Sequence, residues 1–242
     1  LTVHTKIVLL ITAILLLMGT IFTFILECDN MQTMNGDSLG TKILKSAFQS
    51  TTLRTAGFYS IPQNELTSVS KLLSICLMFI GGSPASTAGG IKTVTLGVII
   101  LLVINYIKGR QEINIFSRKI STNAINRAIV VISISIFIVI MAISMLLITE
   151  NFEREKNMDI QHSEDINLSI VDIVFEVVSA FATVGLTLGI TPQLTCAGKI
   201  IIILLMIIGR LGPITISIAL FKKHKEAKQS KAQYPQGNIL IG

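Results

Sequence analysis

The chain repeats itself. Thr55-Ala56-Gly57-Phe58 recurs 128 residues later as Thr183-Val184-Gly185-Leu186. The same shift carries Leu66-Thr67 onto Leu194-Thr195, Lys71 onto Lys199, Met78 onto Met206 and Gly81 onto Gly209. Over positions 55–58 and 66–81, ten of twenty residues are identical without a gap. Each copy places a Thr-x-Gly-apolar tetrapeptide between a short, mixed stretch and a long apolar one. A half-length helix followed by a returning loop is the layout of a pore loop dipping into a membrane, and it points to ion conduction.

The composition supports that environment. Hydrophobic residues make up 51% of the chain and charged ones 14%, against about a quarter charged in soluble domains. The charges fall in blocks between apolar runs. Runs 7–26, 91–107, 128–149 and 200–221 reach or approach the roughly 20 residues that cross a bilayer. A fifth, 72–80, is too short alone.

The blocks also set an orientation. Lys108, Arg110, Arg118, Lys119 and Arg127 face a single acid, Glu112, between residues 108 and 127. The tail adds Lys222, Lys223, Lys225, Lys228 and Lys231. Basic connections stay in the cytoplasm, so 108–127 and the tail lie inside and the C-terminus is cytoplasmic. The acidic stretch 150–165, with Glu27, Asp29 and Asp37, lies outside. The net charge of +6 is therefore topology rather than a nucleic-acid surface. Cys28, Cys76 and Cys196 have no metal-site spacing. His162 and Cys196, the natural candidates for enzyme chemistry, lack partner residues. The chain begins at Leu1 rather than Met, with no cleavable leader pattern, which suggests a piece of something longer.

Two units follow, in one membrane orientation. The first, 1–119, has a spanning helix at 3–26, a half-helix at 39–53, a return leg at 55–58 and an inward crossing from 65 to 106. The middle of that crossing is Gly81-Gly82-Ser83-Pro84-Ala85-Ser86-Thr87-Ala88-Gly89-Gly90. Four glycines and a proline in ten residues do not hold a regular helix, and irregular backbone at membrane depth must be enclosed or line a watery cavity. This segment is expected to act as a flap below the pore loops. The second unit, 120–221, repeats the plan with a span at 128–149, a half-helix at 169–181, a return leg at 183–186 and a crossing at 192–221 interrupted at 209–213. A basic tail, 222–242, closes the chain.

A dehydrated cation needs oxygen ligands, which backbone carbonyls and a threonine hydroxyl supply. Glycine permits the dihedrals that turn carbonyls inward. Thr55, Ala56, Gly57 and Phe58, with Thr183, Val184, Gly185 and Leu186, are the expected ion ligands. Arg54 and Glu176 lie on the half-helix segments and are expected to brace the filter from behind. Arg210 sits among glycines in an apolar span; a guanidinium there faces the bundle interior and raises a barrier to cations. Lys92 either does the same or snorkels to the cytoplasmic face. The rival architecture is a cation-coupled secondary transporter with broken helices, although that class usually has inverted repeats.

These residues carry a family resemblance over essentially the whole chain. Ser50-Thr51-Thr52-Leu53-Arg54-Thr55-Ala56-Gly57-Phe58 resembles the third pore loop of the Ktr/Trk/HKT superfamily of potassium transporters. The run from Phe175 to Gly189 resembles the fourth, and Ile208-Gly209-Arg210-Leu211-Gly212-Pro213 the arginine-bearing last helix. The tail, with Tyr234-Pro235 and its closing Ile241-Gly242, is similar to KtrB-type subunits. The resemblance implies an all-α membrane protein of helix–pore-loop–helix units, four in a complete subunit around one pore. It also implies that 81–90 is an intramembrane gating loop. It further implies potassium as the transported ion, sodium as a coupling ion in some members, homodimers in a bacterial cytoplasmic membrane, and a KtrA-like cytoplasmic nucleotide-binding ring as regulator. Two of the four units are absent from this sequence, so either the missing N-terminal half or a second copy must close the pore. Neither filter has a second glycine: Tyr59 and Thr187 follow.

Overall fold

The computed structural model of the chain describes residues 3–84, 88–109, 114–115, 118–157 and 169–212. Two helices are long: α1 (Val3–Glu27) and α5 (Thr122–Asn157). Their stretches His4–Glu27 and Thr122–Asn151 have mean hydropathies of 2.7 and 3.0. At about 1.5 Å per residue each is long enough for the roughly 30 Å hydrocarbon layer. Hydroxyls within them bond back one turn: Thr20 to the Leu16 carbonyl at 2.8 Å, Ser135 to that of Val131 at 2.8 Å and Ser144 to that of Ile140 at 2.9 Å. No hydroxyl proton of these three is left to lipid. Helix α5 overruns the expected span at both ends, because its flanks carry helix formers and neither Gly nor Pro.

Two helices are short: α2 (Leu39–Thr52) and α6 (Ile170–Phe181). Serines start both. Ser38 accepts the Thr41 N–H and Ser169 that of Val171, each at 3.3 Å. With 14 and 12 residues, neither can cross a bilayer. The inner crossing of the first unit is broken into α3 (Ser68–Phe79) and α4 (Thr93–Ile107). Its counterpart is α7 (Cys196–Leu211), capped by Gly212 at φ 83°; the rest of the expected crossing, and the tail, lie outside the described residues. A two-residue antiparallel pair, β1 (Asn114–Ile115) with β2 (Arg118–Lys119), lies in the basic connection.

Helix α1 packs on α2, α3 and α4, and α5 on α6 and α7; the units join through α3 on α6 and α4 on α5. The core centres on α6. Phe175 and Phe181 are fully buried among Leu53 and Met78 of the first unit and Leu146 and Leu205 of the second. The Phe79 and Phe181 rings meet at 6.2 Å between centroids. Lys71 of α3 lies 3.7 Å from Asp172, a carboxylate in the first turn of α6 that complements the helix N-terminus.

Candidate functional site: two return legs and a broken helix

Among the described residues only two non-glycines have a left-handed backbone, Thr55 (φ 72°) and Thr183 (φ 56°). They occupy the same position in the repeat. Two residues on, Gly57 (φ 80°) and Gly185 (φ 88°) are left-handed as well, whereas Ala56, Phe58, Val184 and Leu186 are not. A β-branched residue in this region is strained, by roughly 1–3 kcal/mol, and both copies retain it. Backbone whose hand alternates carries its carbonyls along one edge and its N–H groups along the other.

The N–H edge is tied to the helix that precedes it. Ala56 N–H donates to Thr52 O at 3.1 Å, Thr183 N–H to Ala180 O at 3.1 Å and Val184 N–H to Ser179 O at 2.9 Å. Side chains add braces that sequence reasoning missed. Thr52 donates to the Phe58 carbonyl, and Ser179 to the Leu186 carbonyl at 2.6 Å. These two carbonyls are thus turned back onto their own short helix. Farther along, Gln49 and Gln63 exchange two hydrogen bonds at 2.8 and 3.1 Å, both buried. In the second unit Thr191 donates to Glu176, whose second carboxylate oxygen is buried without a partner among the described residues. Glu176 thus holds Thr191, which lies beyond the return leg 183–186.

The two tetrapeptides meet. A Cβ on Gly57 would lie 2.5 Å from the Val184 carbonyl oxygen, so Gly57 is required by contact as well as by φ. A Cβ on Gly185 meets nothing within 4 Å. Beside Thr183 and Gly185 is a cavity of about 440 Å³ that Glu176, Thr187, Met206 and Arg210 also line. Arg210 is exposed in the last turn of α7.

The glycine-rich break sits against these legs. Its ends run side by side: Ile91 N–H donates to Phe79 O and Thr93 N–H to Gly82 O, each at 3.1 Å. Gly81, Gly82, Ser83 and Pro84 leave this neck, and Ala88, Gly89 and Gly90 return to it; Ala85, Ser86 and Thr87 lie outside the described residues. Arg54 Nη2 donates to Gly81 O at 2.8 Å, so Arg54 reaches the break. Gly89 N–H donates to Thr183 Oγ1 at 2.9 Å. Lys92 donates to the Ala88 carbonyl.

A second matched pair was invisible to the repeat. Glu27 Oε1 accepts the Thr67 N–H (3.0 Å) and hydroxyl (2.9 Å), and Glu150 Oε1 accepts those of Thr195 (3.1 and 2.9 Å). Each glutamate clasps the residue that caps its unit's inner helix. The separations are 40 and 45 residues, so a gapless shift does not superpose the glutamates. The Thr67/Thr195 match was the available signal.

The family model for the TrkH cation transport proteins matches residues 1–232. This chain belongs to that family. Relatives include the Ktr system potassium uptake protein B of Bacillus subtilis, 40% identical over 241 residues, and the potassium/sodium uptake protein NtpJ of Enterococcus hirae, 36% identical over 241. Both matches cover 100% of this chain and 50% of the relative, so the chain spans about half the length of those TrkH-family proteins. The crystal structure of the potassium transporter TrkH from Vibrio parahaemolyticus superposes with a TM-score of 0.66 at 18% identity, over 87% of this chain and 43% of that one. At that identity the likeness is one of fold, and it is the fold of a helical membrane transporter.

Proposed function

We propose that this chain supplies two of four helix–pore-loop–helix units in a potassium uptake pore of the bacterial cytoplasmic membrane. The reading rests on one observation above the others. Thr55/Gly57 and Thr183/Gly185 share one alternating backbone, and the two copies come together at Gly57 and Val184. With the N–H edges tied back, the carbonyls of residues 55–57 and 183–185 remain for a cation. Phe58 and Leu186 end each filter, their own carbonyls held from behind. The remaining two units come from the rest of the subunit, since the relatives are twice as long; a second copy of this chain is the other way to close the ring. Segment 81–90 and Arg210 restrict flow on the cytoplasmic side. The complete subunit pairs as a homodimer and takes its regulation from a KtrA-like cytoplasmic nucleotide-binding ring.

The test is rubidium uptake by the complete subunit in a bacterium lacking its own potassium uptake. Saturable rubidium entry, inhibited by potassium more strongly than by sodium, is the expected result. Uptake no greater than in cells without the protein would sink the reading. The printed name of the Enterococcus hirae relative, a potassium/sodium uptake protein, gives a second reading in which sodium is carried or coupled. Equal inhibition by the two ions, or rubidium entry that requires sodium, would select it.

A further inference from the structure

The two inner helices begin alike. Thr67 caps α3 by accepting the Ser70 N–H at 3.3 Å, and Thr195 caps α7 by accepting the Gly198 N–H at 3.0 Å. The fourth residue of each helix is a lysine, and its N–H donates to the carbonyl of the cap at 2.9 Å in both. Lys71 and Lys199 therefore leave equivalent frames, 128 residues apart. Their surroundings differ. Lys71 is half-buried and 3.7 Å from Asp172 in the first turn of α6. Lys199 is exposed and donates to the Pro192 carbonyl of its own unit at 3.1 Å.

The difference extends down the helix. Lys71, Ile75, Met78 and Phe79 share one face of α3, at the spacing of a helical stripe. Phe79 meets Phe181 of α6, Met78 is fully buried, and Ile75 packs on the core. The repeat turns these four into Lys199, Ile203, Met206 and Ile207, and all four are exposed. The same face of α7 ends at Arg210, about three turns beyond Lys199. Lipid does not readily take a guanidinium inside a span, so this face belongs to the protein interior.

The helix that would cover it is missing from this chain. On α6 the carboxylate is Asp172. The same position of α2 is Leu44, 70% exposed, and the first turn of α2 holds no acid. Lys42 and Lys45 flank Leu44 in sequence, and Asp37, just ahead of the helix, is engaged by Lys45 at 2.6 Å. A second copy would bring the Lys199 ammonium to an apolar side chain among cations rather than to a carboxylate.

We propose that Lys199 is one half of a second fastener between units, whose other half is a carboxylate in the first turn of a short helix in the rest of the subunit. That helix lies on the stripe from Lys199 to Arg210 as α6 lies on α3, and a second copy of this chain does not fill its place. The inference rests on the reading that this chain supplies two of four units. Apolar contact along the stripe supplies the attraction. The ion pair sets which helix docks, since a part-exposed pair adds little affinity but rejects a wrong charge. By the same rule the open face of α2 takes a helix with an apolar residue where α3 has Lys71. The two open edges of the chain are thus matched to different partners and not to each other.

Zero-length cross-linking of the complete subunit with a water-soluble carbodiimide tests this, because it joins a lysine to a carboxylate only where the two are in contact. Peptide mapping should find Lys71 joined to Asp172, and Lys199 joined to an Asp or Glu outside residues 1–242, both in protein of single-subunit mass. Lys199→Arg should lose the second link and keep the first. Lys199→Glu should lower the yield of monodisperse subunit, and lysine in place of the carboxylate so identified should restore it, a rescue that a generally weakened helix would not show. If Lys199→Glu gives no protein, the charge-swapped variant and the links of the parent decide. A Lys199 link to any carboxylate within 1–242 would overturn the assignment, and one between two copies would make the second copy the closure of the pore. A Lys71–Asp172 link with none at Lys199, in a subunit that takes up rubidium, overturns the fastener and leaves the four-unit pore standing. Absence of both links removes the pair on which the assignment is built. A subunit that forms both links but takes up no rubidium loses the potassium reading and keeps the fastener.

Discussion

The two return legs have one local conformation and two surroundings. In the second leg Val184, Leu186, Leu188 and Ile190 are buried, while Gly185, Thr187 and Gly189 between them are exposed. Alternate residues of this leg thus pack on the core. In the first leg Phe58 and Tyr59 are 71% and 68% exposed. The short helices differ in the same sense. Every residue of α6 from Phe175 to Phe181 is buried, whereas α2 buries Ser46, Gln49, Ser50 and Thr52 and exposes Leu39, Ile43, Leu44 and Phe48. The reason lies in what packs on each. Helix α6 lies between α5 and α7 of its own unit and α3 of the other, whereas α2 has α1 as its main neighbour. Identical left-handed threonines in such unequal settings mean that the geometry of the return legs is encoded locally, by the half-helix end and the Thr-x-Gly, and only reinforced by the core.

The contrast is sharpest at the matched glycines Gly81 and Gly209. A Cβ on Gly209 would lie 1.9 Å from the Phe181 carbonyl, in the helix-packed core, and one on Gly81 equally close to Gly89, in the break. Gly209→Ala should therefore be the most damaging substitution, forcing α7 off α6 at a cost on the order of 3 kcal/mol. The expected readout is loss of monodisperse protein on size-exclusion chromatography. Gly81→Ala should leave monodisperse protein with altered uptake. If both collapse alike, the second unit is not the more rigid of the two.

The order reverses one step along. Gly57 and Gly185 share a left-handed backbone, which disfavours any side chain by about 1–2 kcal/mol, but only Gly57 also faces the Val184 carbonyl. Gly57→Ala should depress rubidium uptake and potassium preference more than Gly185→Ala. Equal losses in competition assays would mean that the approach of the two legs contributes nothing, leaving φ alone to explain the glycines.

Much of this was legible in the sequence because it is periodic or punctuated. The repeat, the half-helices and the break at the glycines all come from local composition; the interruption expected at 209–213 begins later, since α7 stays helical to Leu211. Contacts between elements were not. Arg54 was expected behind its own filter, yet its long side chain reaches Gly81, 27 residues on, and nothing in the spacing says so. The Gln49–Gln63 pair and the Ser179 brace on the Leu186 carbonyl are inconspicuous in sequence until folding places their partners opposite each other. The alternation from Val184 to Ile190 was readable, but the Thr-x-Gly motif drew attention to its first half only.

The outer clasps give the finest comparison of the units. Glu27 is fully buried and accepts from Asn30 and Thr33, each at 2.7 Å, in addition to Thr67. Glu150 is 4% exposed and accepts both its bonds among the described residues from Thr195. A Cβ on Gly198 would come within 2.4 Å of Glu150 Oε1, so the second clasp relies on close approach where the first relies on donors. Glutamine keeps the shape of glutamate but replaces one acceptor oxygen with a donor, which at Glu27 must oppose at least one existing donor. Glu27→Gln should then lower the apparent Tm in detergent by the equivalent of about 2 kcal/mol, and Glu150→Gln by about 1 kcal/mol. The reverse order would show that the clasp of the core-packed unit carries more of the fold, and that counting donors misjudges how each inner helix is hung from its outer one.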